Sequence, residues 1–267
     1  MIVTSELVER IFGVCREYEH AILSTYRNRP GNPNQIEFES FGKVRATRVP
    51  FIPFFNRAFG FTEDQIDQLP KIIEFYRQTN NRFTLELSPE AATEKLSREL
   101  IAGGLAPWGC NAKFYAPLDG LPGISLDSKV EPVLVDESNV DEYVETALLG
   151  WGMPAEHKKG ATGNIRLRLG VPGVRLFLGR IDGRPVGSAV FFQSGDVGYL
   201  ADASTVPAHR GLGCQIKLME ARIRFAREQG CKLIIGGAHF GDPSFRNMQR
   251  IGLKIAYTDM AWHYVAT

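Results

Sequence analysis

Apolar residues recur along this chain with two periods, about 3.6 and 2, and the switches between them lay out its elements. Leu7, Ile11, Val14 and Tyr18 share one face of a helix expected over 5–26, and Arg29-Pro-Gly-Asn-Pro-Asn34 breaks it. A strand-like segment over 36–49 leads into the aromatic run Pro50 to Arg57, expected as core of its half of the chain rather than an exposed substrate clamp. A helix over 62–79 follows, with Ile66, Leu69, Ile73 and Tyr76 as its stripe and Thr62 as its start. Next come a strand over 82–87, a helix opened by Ser88-Pro89-Glu90 and stopped at Gly103-Gly104, and a strand over 111–117.

Leu121-Pro-Gly-Ile-Ser-Leu-Asp-Ser128 has linker chemistry, and a second series starts after it. A strand over 130–135, a helix over 139–149 with Asn139 as cap, and a polar helix over 155–169 lead to a hairpin, 174–181 and 185–192, turned by Asp182-Gly183. A third strand follows and is closed by Pro207, then a long helix, a strand over 231–238, a helix from Pro243 and a strand over 254–264. The order strand, helix, strand, helix, Gly-Leu, strand thus occurs twice, with Gly104-Leu105 and Gly252-Leu253 at matching places. At 267 residues and 44% apolar content the chain has material for two cores, and the expected domains are 1–126 and 127–267.

The most informative stretch joins the third strand of the second half to its long helix. In Arg210-Gly-Leu-Gly213 two glycines permit positive φ, so that successive N–H groups can face one concavity with no Cβ in the way. Ile216, Met219, Ile223 and Ala226 then recur at helical spacing opposite Lys217, Glu220, Arg224 and Arg227, so a helix starts at the turn. Its free N–H groups and roughly half a positive charge make a pyrophosphate the natural ligand. A P-loop would need Gly-Lys-Ser/Thr, which is missing. A dinucleotide-binding turn would need a third glycine where Ile216 stands and an acid after the next strand, which ends in Gly236-Gly237-Ala238.

Arg210-x-x-Gly213-x-Gln215 resembles the Arg/Gln-x-x-Gly-x-Gly/Ala turn of the GNAT superfamily of acyl-CoA N-acyltransferases, with Gln215 in place of the last small residue. The element order over 129–267 is similar to the whole of that fold. The resemblance implies an α/β (α+β) fold, a mixed, mostly antiparallel sheet flanked by helices, in tandem with a degenerate GNAT-like first half. That half has Asn56-Arg-Ala-Phe-Gly-Phe61 where the glycine turn belongs and so would not cradle a pyrophosphate. It also implies acetyl-CoA as co-substrate, its pantetheine paired to the backbone at Ala203 and Thr205. The pyrophosphate would be held by Arg210 and by the amides of Gly211, Leu212, Gly213, Cys214, Gln215 and Ile216.

The expected chemistry is attack of a primary amine on the thioester, with Asp202 or His239 draining the proton. Many relatives of that type carry a Tyr, as donor to the leaving thiolate, where Met248 stands here. Ser244 and Asn247 are candidates for the pantetheine or its thiol, with helix capping as the alternative; Arg246 and Arg250 are read as solvated surface, with contact to the adenosine phosphate as the alternative. The segment with Glu156, His157 and Lys158 is where this fold builds an acceptor pocket. A thiol in the phosphate turn is far from the thioester end, which argues against Cys214 as a nucleophile.

Charge and cysteine usage narrow the partners. Thirty-one Lys and Arg balance 30 acids, so no global field favours nucleic acid or an anionic membrane, and a small-molecule amine is favoured over basic protein tails. Cys15, Cys110, Cys214 and Cys231 show neither metal-ligand nor disulfide spacing, and no metal is expected. No run approaches a membrane span, so a cytoplasmic protein is expected; a homodimer stays open. An acetyl-CoA-binding sensor or scaffold without turnover is the alternative to an enzyme, since the phosphate turn serves both.

Overall fold

The structure, a computed structural model, describes residues 2–50, 52–77, 82–123 and 126–265, and of 155–157 and 159 the backbone alone. Its elements run α1 (Ser5–Arg27), β1 (Glu37–Phe41), β2 (Val44–Arg48), β3 (Arg57–Phe59), α2 (Leu69–Arg77), β4 (Thr84–Leu87), α3 (Glu94–Ala102) and β5 (Leu105–Pro117). They continue with β6 (Glu131–Leu134), α4 (Val140–Gly150), α5 (Ala155–Leu167), β7 (Val174–Ile181), β8 (Arg184–Ser194), β9 (Val197–Thr205), α6 (Cys214–Glu228), β10 (Leu233–His239), α7 (Pro243–Arg250) and β11 (Lys254–Tyr264). The fold is α/β with a mixed, mostly antiparallel sheet, as the resemblance implied. Parallel pairing occurs at β3–β4 and β9–β10, each pair joined by a crossover helix, α2 or α6.

Two compact units divide the chain: Met1–Thr25 with Lys113–Ala256, and Tyr26–Ala112 with Tyr257–Thr267. This differs from a single cut near 127, because each unit takes an element from the far end of the chain. In the larger unit α1 buries Leu7, Ile11, Val14 and Tyr18, and the Tyr18 ring meets Phe192 and Tyr199 at 5.5 and 5.6 Å between centroids. Arg10 pairs with Asp196 and Ser194 donates to Glu17, fixing the same helix along β8 and β9. In the smaller unit β11 pairs antiparallel with β4, Met260 opposite Leu87 and His263 opposite Thr84. Strand order is β5-β10-β9-β8-β7-β6 in the larger unit, which holds β5 from Lys113 on, and β1-β2-β3-β4-β11 in the smaller, which holds β11 from Tyr257 on.

The larger unit puts α4 against β8 and β9, and α6 against β7, β8 and β9. Phe225 of α6 stands edge-on to Phe177 and Phe191, so one aromatic anchors the helix on two strands. In the smaller unit the core gathers Phe61, Ile72, Tyr76, Phe83, Leu85, Leu96, Leu100 and Trp262. Tyr76 stacks on Phe83 at 4.4 Å and donates its hydroxyl to the carbonyls of Thr47 and Arg57, which satisfies a buried polar atom.

Three local expectations are corrected. The helix over 62–79 is a 3-10 turn, Glu63–Gln68, followed by α2, because Pro70 has no N–H to continue the first turn; 78 and 79 lie outside the described residues. Ser88 opens only a 3-10 turn, Pro89–Ala91, and α3 is capped separately by the Thr93 hydroxyl, which accepts from the Leu96 amide at 3.2 Å. Pro50 to Arg57 is not core: Phe54 is 67% exposed under the Arg57 guanidinium, and Phe51 lies outside the described residues. Of Asn56 to Phe61, expected where the glycine turn belongs, Arg57–Phe59 form β3 itself, and the 3-10 helix that follows carries two acids, Glu63 and Asp64, in its first turn. Acids there disfavour a phosphate.

Candidate functional site

β9 and β10 stay in parallel register from Val197–Leu233 to Leu200–Gly236 and pair no further, although β9 runs on to Thr205 and β10 to His239. Beyond the last pair the strands open, leaving edge amides and carbonyls of the kind that an extended chain can pair with. Along the unpaired end of β9 lies a groove of about 1110 Å³, lined by Ala203, Thr205, residues 210–216, Ser244 and Asn247, so it brings every candidate coenzyme residue together.

Gly211 and Gly213 have φ of +83° and +81°, the region that the turn needs glycine for. Gly213 is the N-cap of α6 with no side-chain bond to the helix start, so the first amides of α6 are left facing the groove. A Cβ on Gly213 would lie 2.6 Å from Leu126 Cδ2, whereas one on Gly211 would meet nothing within 4 Å. Ser128 fixes the turn from outside, donating its hydroxyl to the Leu212 carbonyl at 2.7 Å. Lys129, Arg210 and Arg250 supply cations to the lining against Asp127 and Asp242. Arg250 is exposed and also lines the groove, while Arg246 donates to the Gly241 carbonyl at 2.5 Å.

Gln215 has a use that the sequence did not reveal. Its Nε2 donates to Ser244 Oγ, Asn247 Nδ2 donates to its Oε1 at 2.5 Å, and Arg250 donates to Asn247 Oδ1 at 3.0 Å. These bonds tie the start of α6 to α7 across the groove. Neither Ser244 nor Asn247 is the N-cap of α7, a place taken by Asp242. The Cys214 thiol is buried, its Sγ packed toward Gly179 and Gly187, and burial pushes it up to about 11. Met248 is buried with its thioether against Gly236, where it has no proton to give.

Of the candidate bases, Asp202 and His239 both lie beyond the last β9–β10 pair, and neither is among the groove's lining residues. His239 is exposed at the end of β10. Asp202 is the extra residue of a β-bulge, since Ala189 faces Ala203 and Val190 faces Ala201. A bulge re-aims the side chain it carries. Here the carboxylate Oδ2 accepts from Tyr18 Oη at 2.8 Å and from Arg168 Nη1 at 2.7 Å. Burial, then the Asp202 charge, pushes the Tyr18 hydroxyl well above its ordinary range, so it is a donor at any physiological pH. The Arg168 guanidinium also lies 5.6 Å from the ring of Trp151, which lines the groove.

Beneath the bulge Arg222 is 1% exposed and donates to the carbonyls of Leu218, Val190 and Ala201 at 3.0, 2.9 and 2.9 Å. Val190 and Ala201 are the pair beside the bulge, where the ladder is irregular and carbonyls need another partner. Burial lowers the Arg222 pKa to about 10, which still leaves it charged at neutral pH. Its sequence signal was its place between Met219 and Ala226 on the apolar stripe of α6. Tyr18 was legible only as part of the apolar stripe of α1 and Arg168 not at all, and nothing local linked either to Asp202, 184 and 34 residues away. The side chains of Glu156 and His157 lie outside the description, and Lys158 is half-buried on α5.

Residues 141–249 match the family model described as acetyltransferase (GNAT) family. No match is found among curated proteins. Among solved structures the chain is similar to a GCN5-related N-acetyltransferase from Kribbella flavida, at 18% identity and a TM-score of 0.65 over 92% of this chain and 96% of that one. A GCN5-related N-acetyltransferase from Sphaerobacter thermophilus matches at 13% identity and a TM-score of 0.62, over 95% and 90% of the two chains. A tandem GNAT protein from the clavulanic acid biosynthesis pathway matches at 14% identity and 0.59, over 98% and 95%. These likenesses concern the fold, and the last extends it to a tandem arrangement over nearly the whole chain. Among the described residues no group of His, Cys, Asp and Glu is placed to hold a metal, and no helix is long and apolar enough to cross a membrane.

Proposed function

We propose that this chain, whose residues 141–249 match the acetyltransferase (GNAT) family model, transfers an acetyl group from acetyl-CoA to a primary amine of a small molecule. The observation that carries the reading is the groove along the unpaired end of β9, the glycine turn and the amino end of α6, with α7 on its other wall. Pantetheine would pair with the backbone at Ala203 and Thr205. The pyrophosphate would take the amides of 211–216 and the cation of Arg210, with Ser244 and Asn247 along the same wall.

The thioester carbonyl would then lie near the opened ends, where Asp202 and His239 stand. The amine nitrogen attacks the carbonyl carbon, the C–N bond forms and negative charge moves to the oxygen. Collapse breaks the C–S bond, the amine's proton passes to Asp202 or His239, and the thiolate leaves. With Met248 buried and unable to donate, the thiolate takes its proton from water or the base, tolerable for a thiol of pKa ~8.5. Met248 is also what favours a second reading, an acetyl-CoA sensor without turnover. Balanced charge, 31 basic against 30 acidic residues, supports a small acceptor over a basic protein tail.

Thiol release from acetyl-CoA, followed across amino sugars, polyamines, amino acids and short peptides, tests the proposal. Release with at least one amine, lost in Asp202→Asn or His239→Ala, is expected. Binding of acetyl-CoA with no release for any amine would leave the sensor.

A further inference from the structure

The reading above places a base at the β-bulge but says nothing of what orients it. Asp202 is exposed at 37% of its side chain, and an exposed carboxylate on a strand ordinarily samples several rotamers. Here the sampling is removed by two donors on one oxygen. Tyr18 reaches Oδ2 from α1 and Arg168 from the turn after α5, and both donors are buried, Tyr18 at 7% and Arg168 at 4% exposure. Tyr18 is in turn held by Phe192 and Tyr199, and Arg168 lies near the Trp151 ring. Oδ1 has no hydrogen-bond partner among the described residues.

We infer that Tyr18 and Arg168 are positioning residues of the acetyl-transfer site, which clamp Asp202 through Oδ2 so that Oδ1 is presented to the ammonium of the acceptor. The inference rests on the acetyltransferase reading. It gives α1, which precedes the whole smaller unit in the chain, a part in the chemistry of the larger one. It also accounts for a buried tyrosine hydroxyl and a buried guanidinium converging on one oxygen at a bulge that core packing alone does not require. The clamp leaves one carboxylate oxygen open for the acceptor while Arg168 balances the charge of the carboxylate, which fits a primary ammonium entering beside Trp151 and giving its proton to Oδ1.

The test is a double-mutant cycle with Tyr18→Phe, which keeps the ring packed and deletes only the hydroxyl, and Asp202→Asn. Each is assayed by thiol release from acetyl-CoA with the amine that gives the highest rate, and each is checked for melting temperature and for acetyl-CoA affinity by calorimetry. Tyr18→Phe is expected to lower kcat about tenfold, the scale of one hydrogen bond to a charged group, with acetyl-CoA affinity within about twofold of native. In the Asp202→Asn background the same substitution is expected to change kcat by less than about twofold, because the oxygen it oriented is no longer a base. Arg168→Lys is expected to retain more activity than Arg168→Met. Full activity of Tyr18→Phe, or losses that multiply independently in the double variant, would overturn the inference while leaving the acetyltransferase reading intact. Absence of thiol release by the native protein with every amine would overturn both.

Discussion

Gly211 offers the cleanest perturbation of the phosphate turn. A side chain at Gly213 would collide with Leu126 at 2.6 Å, whereas at Gly211 no heavy atom lies within 4 Å of a new Cβ. The φ of +83° is the only penalty common to every substitution there, about 1–2 kcal/mol for an L residue, or a fall in melting temperature of roughly 2–8 °C for a unit of this size. Gly211→Glu and Gly211→Lys share that strain and differ by two charges in what they bring to the anion site. A unit charge about 4 Å from a phosphate is worth between about 1 kcal/mol in water and about 4 kcal/mol at an effective dielectric constant of 20. With the groove open to solvent we take the lower end, about 1–2 kcal/mol for each of two phosphate charges. Gly211→Glu should therefore weaken acetyl-CoA about 30- to 1000-fold, and Gly211→Lys should bind at least as well as native. Calorimetric titration gives the affinities and a thermal melt gives the shared strain. Equal loss in both variants would refute the electrostatic argument and leave only a steric role for the turn. No loss in either would remove the turn from the site.

Three further outcomes follow from groups around the groove. Arg222→Leu keeps bulk but leaves the Val190 and Ala201 carbonyls unpaired beneath the bulge, at about 1–3 kcal/mol each, so the melting temperature should fall by about 5 °C or more and kcat with it; an unchanged melt would contradict the bulge-bracing role. Cys214 has its thiol raised from 9.0 to about 11 by burial, so the folded state keeps a proton that the unfolded chain loses. Its contribution, about 2–3 kcal/mol, is complete below pH 9 and is lost as pH rises to about 11; urea midpoints of native and Cys214→Ala across that window should converge upwards in pH, and parallel curves would contradict it. Cys214 should also resist alkylation in the native state while exposed Cys110 reacts, as mass spectrometry of labelled peptides would show. Gln215→Ala removes the tie between α6 and α7 without touching a backbone amide, so a loss of about tenfold or less in acetyl-CoA affinity is expected, and a larger loss would mean that the side chain itself holds ligand.

Most of the second half was legible because its elements announce themselves locally. The Asp182-Gly183 turn, Pro207 and the two glycines of the phosphate turn each set a backbone conformation that neighbours do not override. Periodicity failed where proline intervened, at Pro70 and Pro89, since a stripe of apolar residues does not reveal that the helix carrying it is interrupted. The cut between units was illegible for a different reason. Nothing in α1 or β11 states which sheet it packs on, and the partners, Phe192 and Tyr199 for Tyr18 and Leu85 and Leu87 for the end of β11, are far along the chain. The same distance hid the environment of Asp202. A carboxylate on a strand before a glycine turn is visible as a candidate, but its bulge and its bonds to Tyr18 and Arg168 are products of tertiary packing.

The measurement that tests the central claim most directly is calorimetric titration of the native protein with acetyl-CoA. The groove and its turn predict one site per chain with micromolar affinity, about −8 kcal/mol, displaced by coenzyme A. No heat of binding at millimolar acetyl-CoA would contradict the account, because the opened strands and the anion turn would then serve neither an enzyme nor a sensor of that ligand.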